Sequence, residues 1–478
     1  RSQNNYKAFQ SQWASRPTTL LAGSNGGMLH AFSNASGDEK WAFIPPSLIS
    51  KLRLVNGGQA NKSVSIYGVD GSPVVKDIFA NGVWKTVAVF GMGEGDHSYS
   101  ALDITNIDAP KHMWTFKNIP STQKVEFWNA SGNKTTLDYA SIVPERDYSK
   151  LGQAVSTPRI IRMKIGTTDK WVAIFGAGAN GGAATTYGSA IYIIDIADGG
   201  KVLKRIDVED KNSNSVVNSV IASLVPVTAD TTSTATYQGA LVYFADFESK
   251  LWKLNLTNKG TLYSLQKIFD GEATIANQRR VFHDVSLSLD DNSKLWAFFG
   301  TGDRYNIAAE NSLINNRLFA IKDTNYPNFK SGVSLIKSAN CKDVTTAGAS
   351  CPDASHDGWF VNLDKNEKTS GSAAINDRVV YYPRYTPNKL NPCNPGKAVL
   401  SAHGYTCGNT LKKIDLGAGM ATTPIIYKGK IYIGISGAPG SSLGSGWTAV
   451  DNLIIGNTIS GTGGSSNSFS IKSWRQLF

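Results

Sequence analysis

Trp171-Val-Ala-Ile-Phe-Gly176, Ile191-Tyr-Ile-Ile-Asp-Ile196 and Lys201-Val-Leu203 follow one another within a single short span of the chain. Each run is too short for an ordinary helix, is rich in β-branched and aromatic residues, and is bounded by turn residues, which reads as three consecutive strands. The same order recurs on both sides. Upstream lie Leu20-Leu-Ala-Gly23 with Met28-Leu-His-Ala-Phe32 and Trp41-Ala-Phe-Ile44, then Val87-Ala-Val-Phe-Gly91 with Ser100-Ala-Leu-Asp-Ile104 and His112-Met-Trp-Thr-Phe116. Downstream lie Leu241–Ala245 with Leu251–Leu256, and Leu295–Gly300 with Arg317–Ile321. Weaker copies are Val379–Tyr382 with Leu411–Asp415, and Lys430–Gly434. About seven such units, none able to bury both faces alone, predict an all-β fold, a modified seven-bladed propeller with quinoprotein-like blades and long loop insertions.

Composition agrees. The chain has 478 residues, 41% of them hydrophobic, with 46 Gly, 11 Trp and 18 Tyr but only 5 Met. Many tight turns and many aromatics suit numerous short strands. The expected organisation is a single propeller domain over 1–478, excised from a longer parent. Insertions are expected at 118–148, 207–236 and 323–357, with a flexible Gly/Ser-rich segment at 457–470. No apolar run reaches the ~18 residues of a membrane span. The formal net charge is +11. Arg279-Arg280 and Lys412-Lys413 are only pairs, so a dispersed solvated surface is expected rather than a specific nucleic-acid ligand.

Chemistry-bearing motifs yield to simpler readings. Gly176-Ala-Gly178-Ala-Asn-Gly181 matches a dinucleotide fingerprint, but a strand follows where a helix is required. Gly91-Met-Gly93 and Gly300-Thr-Gly302 repeat the same shape, which marks a recurrent strand-end turn. Gly440-Ser-Ser442-Leu-Gly444 lacks the helix of a nucleophile elbow. The six His, at 30, 97, 112, 283, 356 and 403, form no metal or catalytic pattern; His97 beside Asp96 is read as a turn residue. Asp290-Asp291-Asn292 and Asp364-Lys-Asn366-Glu367 lack a full calcium ligand set and read as polar turns. No catalytic, metal or cofactor-binding residue is assigned.

The Cys are Cys341, Cys351, Cys393 and Cys407, an even number in turn-rich segments. Two local bridges, Cys341 to Cys351 and Cys393 to Cys407, are the economical choice among three pairings, each worth about 2–4 kcal/mol. Disulfides imply an oxidising compartment.

Taken in order, several motifs resemble the PilC/PilY-type family of type IV pilus tip-associated adhesins. They include Asn25-Gly-Gly-Met-Leu-His-Ala-Phe32 with Glu39–Pro45, Val69-Asp-Gly-Ser-Pro-Val-Val75, Ser100–Thr105, and Leu151-Gly152 with Ser156-Thr-Pro158. Leu251-Trp-Lys-Leu254, Phe299-Gly-Thr-Gly302, Gly358-Trp359, Pro392-Cys393 and Ser473-Trp-Arg-Gln-Leu477 continue the series. The resemblance implies a non-enzymatic pilus biogenesis factor and adhesin, supporting pilus assembly, adhesion, and twitching motility or DNA uptake. It implies an extracellular place, at the pilus tip or outer-membrane surface of a Gram-negative bacterium, minor pilins as partners, and a host or surface receptor of unknown identity. Many members carry a calcium loop before the strand matching Leu241–Ala245; here that stretch is 229–239 and keeps only Asp230, so no tight calcium site is expected there and no cofactor is assigned, calcium being left open only by the resemblance. Two rival readings share the fold: a propeller quinoprotein dehydrogenase and a non-pilus envelope scaffold.

Overall fold

The computed structural model describes residues 5–55, 67–179, 187–208, 218–227, 239–309, 311–388, 395–441 and 443–460. Its strands form seven sheets, which are the seven blades of a propeller. Blade 1 is Thr19–Gly23, Leu29–Ser33 and Glu39–Phe43. Blade 2 starts at Val74–Ala80 and Val83–Gly91, and blade 3 at Arg159–Ile165 and Thr168–Gly176. Blade 4 starts at Val225–Val227 and Leu241–Ala245, and blade 5 at Ser286–Leu289 and Leu295–Gly300. Blade 6 centres on Val379–Thr386 and Lys397–Gly404, and blade 7 on Ile425–Tyr427 and Lys430–Gly434.

The blades explain why their second strands are apolar without interruption. Side chains alternate across a strand, and in a stacked blade both faces are covered. In blade 3, Ala173 and Phe175 enter the core shared with blade 2, while Val172 and Ile174 enter the core shared with blade 4. In blade 4, Tyr243 faces blade 5 and Phe244 faces blade 3. In blade 5, Phe299 and Phe298 divide between blades 4 and 6 in the same way.

The glycine that ends these strands is required by close approach of the next blade. A Cβ on Gly23 would lie 2.2 Å from the Val69 carbonyl oxygen, on Gly91 2.4 Å from that of Ala154, and on Gly176 2.2 Å from that of Val220. On Gly300 it would lie 2.1 Å from the Thr369 methyl. The dinucleotide-like motif is this contact. Gly178, at φ +83°, presses on the Gln153 carbonyl, and the strand Ala190–Asp195 is the next described element. Gly181 lies outside the described residues.

The insertions are largely woven into the sheets. Residues 118–148 carry Lys124–Trp128 and Lys134–Asp138, which extend blade 2 to six strands. Their signal is the short alternation that buries Val125 and Phe127. Within 323–357, Ile336–Lys337 pairs in parallel with Leu265–Asp270 of blade 4, and Lys342–Asp343 pairs in parallel with Gly358–Asn362 of blade 5. Of 207–236, residues 209–217 and 228–236 lie outside the described residues, as do 461–470 of the Gly/Ser-rich segment.

The cysteine pairing differs from the expected one. Cys351 is bonded to Cys407, 56 residues away, with Cα atoms 4.5 Å apart. Cys341 is a buried free thiol, its pKa pushed up to about 12 chiefly by burial. Its position between the two parallel strands holds it in the core shared by blades 4 and 5, beside Phe360 and Ile336. The loop after it instead carries Cys351 to the edge of blade 6. Minimal loop length was therefore the wrong criterion, and the bridge staples blade 5 to blade 6. Cys393 lies outside the described residues.

Candidate functional site

The segment leading into the innermost strand of each blade turns toward the propeller axis. Ser72-Pro73-Val74, Thr157-Pro158-Arg159, Ser223-Leu224-Val225, Ser372-Ala373-Ala374 and Thr423-Pro424-Ile425 repeat a hydroxyl at one position, and blade 5 places Asp284 there. Pro suits this position because an innermost strand has no further strand to accept its N–H. Neighbouring segments are tied together across the blade boundaries. The Ser223 amide donates to Asp284 Oδ1 (2.8 Å), and the Ser372 amide to Thr423 Oγ1 (2.9 Å). Ser156, Ser286 and Ser370 hydroxyls donate to the carbonyls of Ala222, Ala373 and Ala421 in the following blades, at 3.0, 2.7 and 2.8 Å.

These segments enclose an axial cavity of about 1130 Å³ to which all seven blades contribute. Its wall is mixed. Leu20, Val74, Ile104, Val155, Ile221 and Phe282 supply apolar surface, the hydroxyls supply weak donors and acceptors, and Arg16, Arg159 and Arg304 supply positive charge against Glu94 and Asp284. Arg159 bridges to Asp284 at 2.8 Å and donates to the Leu224 carbonyl. Arg16 donates to Thr86 Oγ1 and the Thr105 carbonyl. His283 is held neutral, its pKa lowered to about 4 by burial and then by the Arg304 guanidinium, against the opposing pull of Asp284. At one mouth Phe247, Phe282 and Tyr305 meet edge to face, with ring centroids 5.2 and 5.1 Å apart along the chain of contacts. Arg280 covers the Phe247 ring, and Tyr305 is 41% exposed. The Tyr305 hydroxyl is pushed up to about 12 by burial and by Glu94. Such a wall can bind by shape, ring contact and charge.

The family described as the PilY1 beta-propeller domain matches residues 1–325. This chain belongs to that PilY1 β-propeller family. It is 24% identical over 473 residues to the type IV pilus biogenesis factor PilY1 of Pseudomonas aeruginosa UCBPP-PA14, covering 85% of this chain and 37% of the relative. A PilY1 homolog of Xylella fastidiosa is 24% identical over 409 residues, covering 79% of this chain and 25% of the relative. The chain thus spans between about a fifth and two fifths of the length of the curated relatives it matches. The crystal structure of the Pseudomonas aeruginosa PilY1 C-terminal domain shares its fold, with TM-score 0.63 and 19% identity over 91% of this chain and 94% of that one.

Within this PilY1 propeller, the other residues marked in the sequence serve local structure. His97 lies tilted against the Tyr187 ring, and Asp96 pairs with Lys117 at 2.7 Å. His30 hydrogen-bonds Ser24 and His112 bonds Thr115. His403 is fully buried with Nδ1 on the Gly408 carbonyl, and His356 faces Asp353. Among the described residues, no group of three His, Cys, Asp or Glu side chains could hold a metal ion. The degenerate calcium loop with Asp230, and Ser442 of the GxSxG match, lie outside the described residues.

One repeat escaped the sequence reading. Asp290-Asp-Asn-Ser-Lys-Leu-Trp296 and Asp246-Phe-Glu-Ser-Lys-Leu-Trp252 share four further identities with the opening Asp. In both, the first Asp accepts two turn amides and the Trp indole N–H, at distances of 2.9–3.0 Å. The Ser stands in the left-handed region, at φ 56° for Ser249 and 59° for Ser293. The polar-turn reading of Asp290–Asn292 holds for this reason. Glu367 of the other candidate loop is instead buried against Arg384.

Proposed function

We propose that this propeller is the non-catalytic module of a type IV pilus biogenesis factor that acts at the pilus tip and doubles as an adhesin. The observation that carries the reading is the family match over 1–325, which runs from blade 1 into blade 5. The names of the relatives support a role in pilus biogenesis; adhesion, twitching motility or DNA uptake, and contact with minor pilins, are the finer parts of the proposal. An extracellular site on the pilus or outer-membrane surface suits an interblade disulfide. No helix among the described residues is long and apolar enough to cross a membrane.

The reading involves no cofactor and no catalysis. At the axis the Asp284 carboxylate is engaged by the Arg159 guanidinium. Deleting the parent gene should lower surface piliation and twitching; full piliation and normal motility in the deletion would refute the role. Purified chain should bind immobilised minor pilins equally with and without calcium. Dye reduction with alcohols after adding pyrroloquinoline quinone and calcium would favour the dehydrogenase reading instead.

A further inference from the structure

Away from the axis, blade 4 contains a cluster that ordinary packing does not explain. Asn218, Asp246, Glu248 and Lys250 have no solvent-exposed surface at all. Glu248 Oε2 accepts from both Lys250 Nζ (2.6 Å) and Asn218 Nδ2 (3.0 Å). The same Asn218 Nδ2 also donates to Asp246 Oδ2 at 3.0 Å. An amine, a carboxamide and two carboxyl groups thus converge in a fully buried site, walled on one side by Trp252, whose indole stacks on Phe244. Among the described residues, one ammonium faces two carboxyls there. Burying the second negative charge is costly, and Asp246 responds with a pKa raised to about 7, burial being the main cause.

We propose that Lys250 Nζ and Asn218 Cγ become joined by an intramolecular isopeptide bond, with loss of ammonia. Glu248 Oε2 touches both the amine and the carboxamide, and Asp246 Oδ2 touches the nitrogen that would leave. Glu248 takes one proton from the Lys250 ammonium, and the freed electron pair attacks Asn218 Cγ. Desolvation makes such a lysine a competent nucleophile. As the Nζ–Cγ bond forms and the Cγ–Nδ2 bond breaks, Asp246 gives its proton to the departing Nδ2. The second proton leaving Nζ restores Asp246. Ammonia departs, Glu248 ends protonated, and no oxidant or reductant is consumed. The product exchanges a buried ion pair for a neutral amide, which removes the desolvation penalty carried by the two charges.

Peptide mapping decides the matter on the purified, reduced chain. No Lys or Arg lies between 212 and 249, so trypsin should release Asn218 and Lys250 in one peptide, 212–250. The bond predicts a peptide lighter by one ammonia that runs on to Lys253, because trypsin does not cut after an acylated lysine. Chymotryptic cleavage after Tyr243 or Phe244 should then leave two chains still joined. A peptide of full mass ending at Lys250 overturns the proposal. So does a peptide that has lost ammonia yet is still cut after Lys250, which is the mark of a succinimide. Glu248→Gln should restore full mass and cleavage at Lys250. Lys250→Arg, checked for folding by far-UV circular dichroism, should also show full mass; ammonia loss persisting in it would refute the assignment.

Discussion

A single methyl group distinguishes the glycines of this chain. At Gly178 an added Cβ would lie 1.8 Å from the Gln153 carbonyl oxygen, at φ +83°, whereas at Gly37, at φ +79°, it would meet open space. Gly178→Ala should therefore cost about 3 kcal/mol or more, through backbone displacement at the junction of blades 2 and 3 as well as strain. Gly37→Ala should cost only about 1 kcal/mol, from the left-handed backbone alone. Urea denaturation of the two variants measures the difference, and equal losses would contradict the close-approach account. His403 makes a second residue-scale prediction. Its imidazole is fully enclosed, and its pKa is lowered to about 4 from an ordinary 6.5, burial being the main cause. The unfolded chain binds a proton there before the folded chain does. Stability is then complete above about pH 6.5 and declines as pH falls toward 4, by up to about 3 kcal/mol for this one group. His403→Gln should flatten that acid limb in denaturation midpoints measured across pH 4–7. An unchanged slope would mean that the imidazole is hydrated.

At the scale of elements, cohesion comes from ties that cross between blades rather than from the strands alone. The Cys351–Cys407 bridge links the long connection of blade 5 to the hairpin between Lys397–Gly404 and Thr410–Ala418 of blade 6. Closing a loop of this length is worth about 4 kcal/mol in the chain-entropy account. Cys351→Ser should lower stability by about that amount, and reductant should destabilise the parent chain but not the variant. A melting temperature unmoved by reductant in the parent would argue against the bridge. The Asp-turn-Trp repeat teaches the complementary lesson. The same seven-residue pattern lies between the second and third strands of blade 4 but between the first two strands of blade 5. It is a local hairpin solution, dictated by an Asx-capped turn, and its burial is set by its location. Asp246 is wholly enclosed, while the equivalent Asp290 is only half-buried.

At the scale of the whole molecule, the blade interfaces are unequal. Apolar clusters join blades 1 and 2, 2 and 3, 3 and 4, 4 and 5, 5 and 6, and 6 and 7. Among the described residues, no cluster joins blade 7 to blade 1. Leu20 on blade 1 is 55% exposed, and Ile425 and Tyr427 on blade 7 are 52% and 58% exposed. Blade 1 has three strands among the described residues, fewer than any other blade. Low packing density lowers the cost of local opening. Amide hydrogen exchange should accordingly be fastest in Thr19–Gly23 and Ile425–Tyr427, and slowest in Thr168–Gly176 and Leu241–Ala245. Uniform protection around all seven blades would contradict this.

The sequence alone determined the blade count and the family, because both are written in a local code. Continuous apolar runs such as Trp171–Gly176 mark strands covered on two faces, and the glycine ending them marks contact with a neighbouring blade. The hydroxyl repeat of Ser72, Thr157, Ser223, Ser372 and Thr423 was equally present in the letters, but it acquires meaning only when seven separated segments meet on one axis. Cysteine pairing, the axial cavity, the sparse apolar contact between blades 7 and 1 among the described residues, and the meeting of Asn218 with Lys250 were decided by tertiary structure. Each depends on which distant segments ring closure brings together, and chain separation carries no record of that distance.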